Sequence, residues 1–152
     1  MIKERIYPVG RLDRNTTGLL LLTNDGGLTK DLAHPSGNVK KIYSIGLDRA
    51  LSEKDMGKIA QGLVLEDGKA MVDNISYVEN NKRQIGMELH IGKNRIVRRI
   101  FEHLDYKVVK LDRVYYAGLT KKNLPRGKWR YLAEKEIIML KHFRVSSSNF
   151  TF

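Results

Sequence analysis

Hydrophobic residues recur along the chain at two spacings, which predict a mixture of short strands and helices. A leucine run at 19–22 ends at the turn signal Asn24-Asp25-Gly26, so we expect a strand over 18–23 that is buried on both faces. Residues 40–47 alternate between apolar and polar side chains, which predicts a second strand. Short apolar runs between turn-type residues predict further strands at 6–9, 63–65, 70–72, 75–78, 85–91 and 107–117.

Helical spacing is found at 28–33, 52–61, 94–104 and 133–143. Ser52 is a suitable N-cap for the second helix, and Gly62 is suited to close it. The third helix has an apolar stripe made of Ile96, Val97, Ile100, Phe101 and Leu104. The opposite stripe is polar and consists of Arg95, Arg98, Arg99 and Glu102.

The order of these elements indicates the fold class. Strands and helices are mixed without a βαβ rhythm, and turns join most neighbouring strands. The chain therefore predicts an α+β fold with a mixed, largely antiparallel sheet and flanking helices. We expect one domain over residues 1–144 and a flexible tail over 145–152.

The composition is globular but strongly basic. The 152 residues are 41% hydrophobic and carry 28 Lys and Arg against 17 Asp and Glu, a net charge of +11. Because the cations cluster at 40–41, 93–99 and 121–130, nucleic acid is favoured over a merely solubilising charge or a membrane surface. The absence of cysteine excludes thiolate chemistry, and no apolar run could span a bilayer, so we expect a cytoplasmic protein.

Asp13 is the first candidate for chemistry. It stands between Arg11 and Arg14 on a loop of glycines and small hydroxyl residues that leads into the leucine run. An ionised carboxylate on such a loop can act as a nucleophile. The alternative is a structural aspartate bonded to nearby backbone amides. Spacing alone favours that alternative, whereas the flanking cations favour function.

Two other segments point to an anionic ligand. Tyr43 follows a pair of lysines, so its ring either packs in the core or contacts a phosphate, sugar or base. At 92–99 three arginines share a predicted helix face, and the first acid follows only at Glu102. Because the helix dipole also favours an anion at this end, we expect phosphate or carboxylate binding there. The histidines have no metal-ligand spacing, so no metal site is predicted.

Three motifs together resemble the ribosomal pseudouridine synthases of the RsuA/RluB type. They are GRLDRNTTGLLLLTNDG at 10–26, KKIY at 40–43 and GKNRIVRRIF at 92–101, and the similarity extends over residues 7–140. The resemblance implies isomerisation of one uridine in ribosomal RNA to pseudouridine without a metal or organic cofactor. It favours large-subunit RNA, with small-subunit RNA next.

The resemblance also assigns site residues. Asp13 matches the catalytic aspartate, Tyr43 the tyrosine that stacks on the target base, and Arg98 the basic residue that pairs with the aspartate. We therefore expect Asp13 and Arg98 within ion-pair distance, with Tyr43 in the same cleft. RNA phosphate contacts are expected from Arg11, Arg14, Lys41, Lys93, Arg95 and Arg99.

The chain departs from the family pattern in two respects. Asn15 stands where many members carry a second acid, which leaves the role of Asp13 untouched. Full-length members begin with a small S4-type RNA-binding domain and further strands, so we expect this chain to be a catalytic-domain fragment that depends on those parts for RNA affinity. The alternatives are a non-catalytic RNA-binding or ribosome-assembly module and a glycosidase, which would need a second acid near Asp13.

Overall fold

The structure, a computed structural model, describes residues 2–33, 39–93 and 95–149, with side chains described as far as Lys141. Asn94 and the predicted tail residues 150–152 lie outside these ranges. The helices are α1 (Gly26–Ala33), α2 (Glu53–Gln61), α3 (Ile96–His103) and α4 (Glu134–Asn149). The strands are β1 (Tyr7–Pro8), β2 (Thr17–Gly18), β3 (Leu22–Thr23), β4 (Lys41–Leu47), β5 (Leu63–Leu65), β6 (Gly68–Ala70), β7 (Asn74–Val78), β8 (Asn81–Leu89), β9 (Val108–Tyr116) and β10 (Leu119–Thr120).

The main sheet confirms the predicted α+β class. Its strands follow the order β10-β9-β4-β8-β7 with antiparallel neighbours, and β2 adds to β9 as a parallel partner. The hairpin β5–β6 and the pair β1–β3 form two small separate sheets. Strand β4 thus lies inside the sheet, which fixes the backbone on both sides of Tyr43.

Two apolar clusters hold the elements together. The larger one packs the sheet against α2 and α3, with Ile45, Ile85, Met87, Ile100 and Phe101 essentially inaccessible to solvent. The smaller cluster joins the leucine run to the other two helices, and its members include Val9, Leu21, Leu28, Leu32, Tyr116, Leu119 and Leu140. The loop that carries Asp13 enters the smaller cluster at Val9 and Leu21, so apolar packing anchors both of its ends.

Helix α2 begins and ends as predicted. The Ser52 hydroxyl accepts a hydrogen bond from the Asp55 amide at 3.1 Å, and Gly62 follows the last turn with a φ of 100°. Helix α4 differs, because it continues to Asn149 beyond the predicted end at residue 143. None of the helices in the described ranges is both long enough and apolar enough to cross a membrane.

The leucine run is not one doubly buried strand, so that prediction was wrong. The predicted strand is interrupted, because β2 ends at Gly18 before the run and β3 begins at Leu22, and Leu21 is the one leucine of the run that is buried. Leu20 and Leu22 are 43% and 46% exposed and line a groove of about 830 Å³ together with Trp129 and Tyr131. The side chains of the run therefore alternate between more buried and more exposed positions, which a continuous apolar sequence does not reveal.

Candidate functional site

A cleft of about 310 Å³ opens between the Asp13 loop, β4, β9 and the start of α3. Among the described residues, its walls carry one carboxylate, two tyrosines and several cations. The polar residues that line it are Arg11, Asp13, Thr16, Lys41, Tyr43, Lys93, Arg95, Arg98, Arg113 and Tyr116. Asp13, Tyr43 and Arg98 thus share one cleft, as expected from the sequence, although they come from three distant segments.

The Asp13 loop is a tight turn that presents its carboxylate to the cleft. The Thr16 amide donates to the Asp13 carbonyl at 2.9 Å, and Gly10 begins the loop with a φ of +71°, a conformation that glycine adopts without strain. The Asp13 side chain is about one quarter exposed, and its Oδ2 lies 3.7 Å from Nη1 of Arg95. Arg95 is therefore the ion-pair partner of Asp13 in this structure.

The predicted ion pair between Asp13 and Arg98 is absent. Arg98 is only 9% exposed, and its Nη2 donates to the Asn15 carbonyl at 2.8 Å. Its Nη1 makes a weaker contact with the Val108 carbonyl at 3.5 Å. The helical spacing placed Arg98 on the polar stripe, opposite the apolar one, whereas the structure buries it because α3 packs a wide face against the sheet. Arg98 thus ties α3 to the backbone of the Asp13 loop.

Tyr43 and Lys41 lie on one face of β4, and the charge of Arg113 acts to lower the pKa of both side chains. Burial raises the pKa of the Tyr43 hydroxyl, while the charge and hydrogen bond of Arg113 act in the opposite direction and the Asp13 charge raises it further. Burial and the charge of Arg113 lower the pKa of Lys41, whose Nζ donates to the Ile91 carbonyl at 3.4 Å. Burial is the larger cause for both groups, and Arg113 is the charged neighbour that they share.

Arg113 was missed by the sequence analysis. It lies on β9 and is only 3% exposed. The available signal was the strand alternation, since Leu111 and Arg113 are two residues apart and therefore share the buried face. A charged residue at an inward position of a predicted strand is rare unless it has a partner or a role.

The six predicted phosphate contacts do not all reach the cleft. Arg11, Lys41, Lys93 and Arg95 line it, whereas Arg14 and Arg99 do not. Arg99 turns to the β5–β6 hairpin, where its Nη1 lies 2.8 Å from Oδ1 of Asp67. Lys93 donates to the carbonyl of the same Asp67 at 2.9 Å. An acidic hairpin tip thus holds two of the candidate RNA-binding cations.

Comparison with known proteins identifies the family. The profile of the RNA pseudouridylate synthase family matches residues 2–103. This chain therefore belongs to the RNA pseudouridine synthase family, as the motifs indicated.

Its relatives include bacterial enzymes. An "Uncharacterized RNA pseudouridine synthase" of Aquifex aeolicus is 38% identical over 141 residues, which is 91% of this chain and 57% of the relative. The "Ribosomal large subunit pseudouridine synthase B" of Bacillus subtilis is 38% identical over 144 residues, or 92% of this chain and 59% of that protein. The chain thus spans a little under three fifths of the length of these relatives.

Solved structures support the same assignment. A crystal structure of a pseudouridylate synthase superimposes with a TM-score of 0.78 at 29% identity, covering 89% of this chain and 59% of the other. The archaeal box H/ACA Nop10–Cbf5 complex gives a TM-score of 0.54 at 18% identity and shares the fold alone.

Proposed function

We propose that this protein isomerises a single uridine in ribosomal RNA to pseudouridine, with large-subunit RNA as the substrate. The observation that carries the proposal is the Asp13 carboxylate, held on a tight loop within a cationic cleft that also contains Tyr43. Membership of the family supports the reaction class, and the name of the Bacillus subtilis relative supports the large subunit.

The reaction exchanges one bond of the base for another. The N1–C1′ glycosidic bond breaks, the base turns within the cleft, and C5 bonds to C1′. C5 then loses its proton and N1 gains one, so the composition is unchanged. Asp13 acts as nucleophile, or stabilises the positive charge that develops when the glycosidic bond breaks. Tyr43 stacks on the base while it turns.

The cleft must receive a uridine that has left its stack. Extrusion costs a few kcal/mol, which contacts to the RNA backbone can offset. Arg11, Lys93 and Arg95 stand at the cleft with Asp13, so phosphates that flank the target are their natural partners. Binding of the backbone would thus bring the uridine to Asp13.

The test is a map of pseudouridine in unmodified large-subunit and small-subunit RNA after incubation with the protein. We expect one modified uridine in the large-subunit RNA and none with Asp13→Ala. Modification by Asp13→Ala at the parental rate would refute the catalytic assignment, and a site only in small-subunit RNA would correct the substrate.

RNA binding is expected to weaken steeply with salt. Each phosphate contact with single-stranded RNA contributes about −0.7 to the slope of log K against log salt. If all the cations predicted to bind RNA make contacts, the slope measured by filter binding or anisotropy is about −4. A slope near zero would contradict the phosphate-contact account.

Asp67→Asn is expected to strengthen RNA binding. The substitution releases Arg99 from its carboxylate partner and removes a negative charge beside Lys93. Because exposed ion pairs contribute under about 1 kcal/mol, we expect a Kd about threefold lower at low salt. Glu66→Gln is the matched control, since it changes the net charge equally at a neighbouring exposed residue that forms no ion pair within the described part of the chain. Equal effects of both variants would show that net charge alone is responsible.

A further inference from the structure

Arg113 is a buried cation of the cleft to which the proposed reaction assigns no role. Its guanidinium is nearly inaccessible, and no carboxylate lies within ion-pair distance of it in the described ranges. A buried charge without a counter-ion is costly, and polar partners must compensate it. The polar and aromatic groups that contact Arg113 therefore indicate its role.

One partner is the backbone just after the Asp13 loop. Nε and Nη2 of Arg113 both donate to the Leu19 carbonyl, at 3.0 and 2.7 Å. The Leu19 amide in turn donates to the Arg113 carbonyl at 2.9 Å. Gly18 has a φ of +120°, and a Cβ atom there would collide with the Arg113 backbone, so this approach requires glycine. Both the main chain and the side chain of Arg113 thus form hydrogen bonds with Leu19, directly after the loop.

The other partners are two tyrosine side chains. Arg113 is the cross-strand neighbour of Tyr43, directly after a register shift between Ile42 and Tyr43. Both side chains line the cleft, the Arg113 charge acts to lower the pKa of Tyr43, and the guanidinium lies 4.5 Å from the centre of the Tyr116 ring. The planar fork of arginine can hold a carbonyl and a hydroxyl at the same time, whereas lysine has a single ammonium group.

We propose that Arg113 is a positioning residue that sets Tyr43 against the Asp13 loop. Arg113 stands across from Tyr43 on the neighbouring strand and binds the backbone that follows the loop, so it keeps the two catalytic candidates in a fixed relation. The effect of Arg113 on catalysis rests on the proposed function, whereas its position beside Tyr43 does not. Displacement by about 1 Å can cost about a hundredfold in rate, which is why such fixing matters.

The first test is the titration of Tyr43, which requires no RNA. The Tyr43 signal is the difference in near-ultraviolet absorbance between the parent and Tyr43→Phe across alkaline pH. The charged or titratable groups around this hydroxyl are Asp13, Lys41, Arg95, Arg98, Arg113 and Tyr116. Loss of the Arg113 charge removes an influence that favours the phenolate, so Arg113→Gln is expected to raise the pKa of Tyr43.

Arg49→Gln is the matched control for the titration. Arg49 also lies over a tyrosine ring, 3.7 Å from the centre of Tyr106, and also donates to backbone carbonyls, but it is outside the cleft. Its loss is expected to leave the titration of Tyr43 unchanged. If Arg113→Gln also leaves it unchanged, the proposed contact is wrong.

The second test is a double-mutant cycle on the release of tritium from C5 of labelled uridine in ribosomal RNA. Arg113→Gln is expected to lower kcat about tenfold in the parent and less than about twofold in Tyr43→Phe, because the two act through one contact. Equal reductions in both backgrounds would overturn the proposal. Absence of tritium release from the parent would instead refute the proposed function and leave the titration as the test of Arg113.

Arg113→Lys serves if the glutamine variant does not fold. It keeps the charge, so Tyr43 should titrate closer to the parent than in any uncharged variant, but it cannot hold Leu19 and the hydroxyl together. We expect about a fivefold loss of kcat that again disappears in Tyr43→Phe. A loss that persists in Tyr43→Phe would assign Arg113 a purely structural role.

Discussion

Asp13→Asn is expected to lower kcat for pseudouridine formation by at least about a thousandfold, because the amide can neither attack the sugar nor stabilise its positive charge. The fold should tolerate the change. Asp13 is partly exposed, and its only ion pair within the described residues is the 3.7 Å contact with Arg95, so the free energy of unfolding should fall by less than about 1 kcal/mol. Single-turnover assays and denaturant unfolding would measure the two effects.

Glu102→Gln is the control for Asp13→Asn. Glu102 also pairs with Arg95, at 3.9 Å, but it is more than half exposed and does not line the cleft. Its loss should change kcat by less than about twofold. If the two substitutions reduced kcat equally, Asp13 would matter only as a partner of Arg95.

Arg98→Met is the second substitution with a large expected effect. It removes the buried 2.8 Å hydrogen bond to the Asn15 carbonyl, a charged interaction whose loss costs about 2 kcal/mol of unfolding free energy. The loop that carries Asp13 then loses its tie to α3, so we expect kcat to fall about a hundredfold with a smaller change in RNA affinity. Thermal unfolding and single-turnover kinetics would separate the two contributions.

Arg99→Met is the neighbouring control for Arg98→Met. Arg99 is on the same helix but contacts Asp67 and stays outside the cleft, so its loss should weaken RNA binding and leave kcat within about twofold. A full rate in Arg98→Met would contradict the role given to Arg98 here. If Arg98→Met fails to fold, Arg98→Lys retains one donor and should show the same direction with a smaller loss.

The sequence predicted most of the elements and several residues of the cleft because those inferences depend on local patterns. Ser52 and Gly62 mark the ends of α2 through chemistry that acts within one turn. The motifs around Asp13, Tyr43 and Arg98 identified the family, and the three residues do share a cleft. Their catalytic roles stay predictions.

The predictions were wrong or incomplete where residues distant in sequence determine the position of a side chain. The polar stripe and the family resemblance led us to expect Arg98 beside Asp13, but its Nη2 donates instead to the Asn15 carbonyl, 83 residues away in sequence. Arg113 was overlooked because its importance depends on the register of β9 against β4, including a shift at Tyr43. The leucine run was assigned to one strand because a continuous apolar sequence hides both the interruption of the strand and which leucines are exposed. Tertiary packing decides each of these, and spacing does not.

Release of the C5 hydrogen is the most direct test of the central claim, since binding alone cannot cause it. Unmodified large-subunit RNA labelled with tritium at C5 of its uridines would be incubated with excess protein. We predict release equivalent to one uridine per RNA molecule, mapping to a single pseudouridine, and no release with Asp13→Asn. Tight, salt-sensitive binding without tritium release would contradict the account and identify the protein as a non-catalytic RNA-binding module of the same fold.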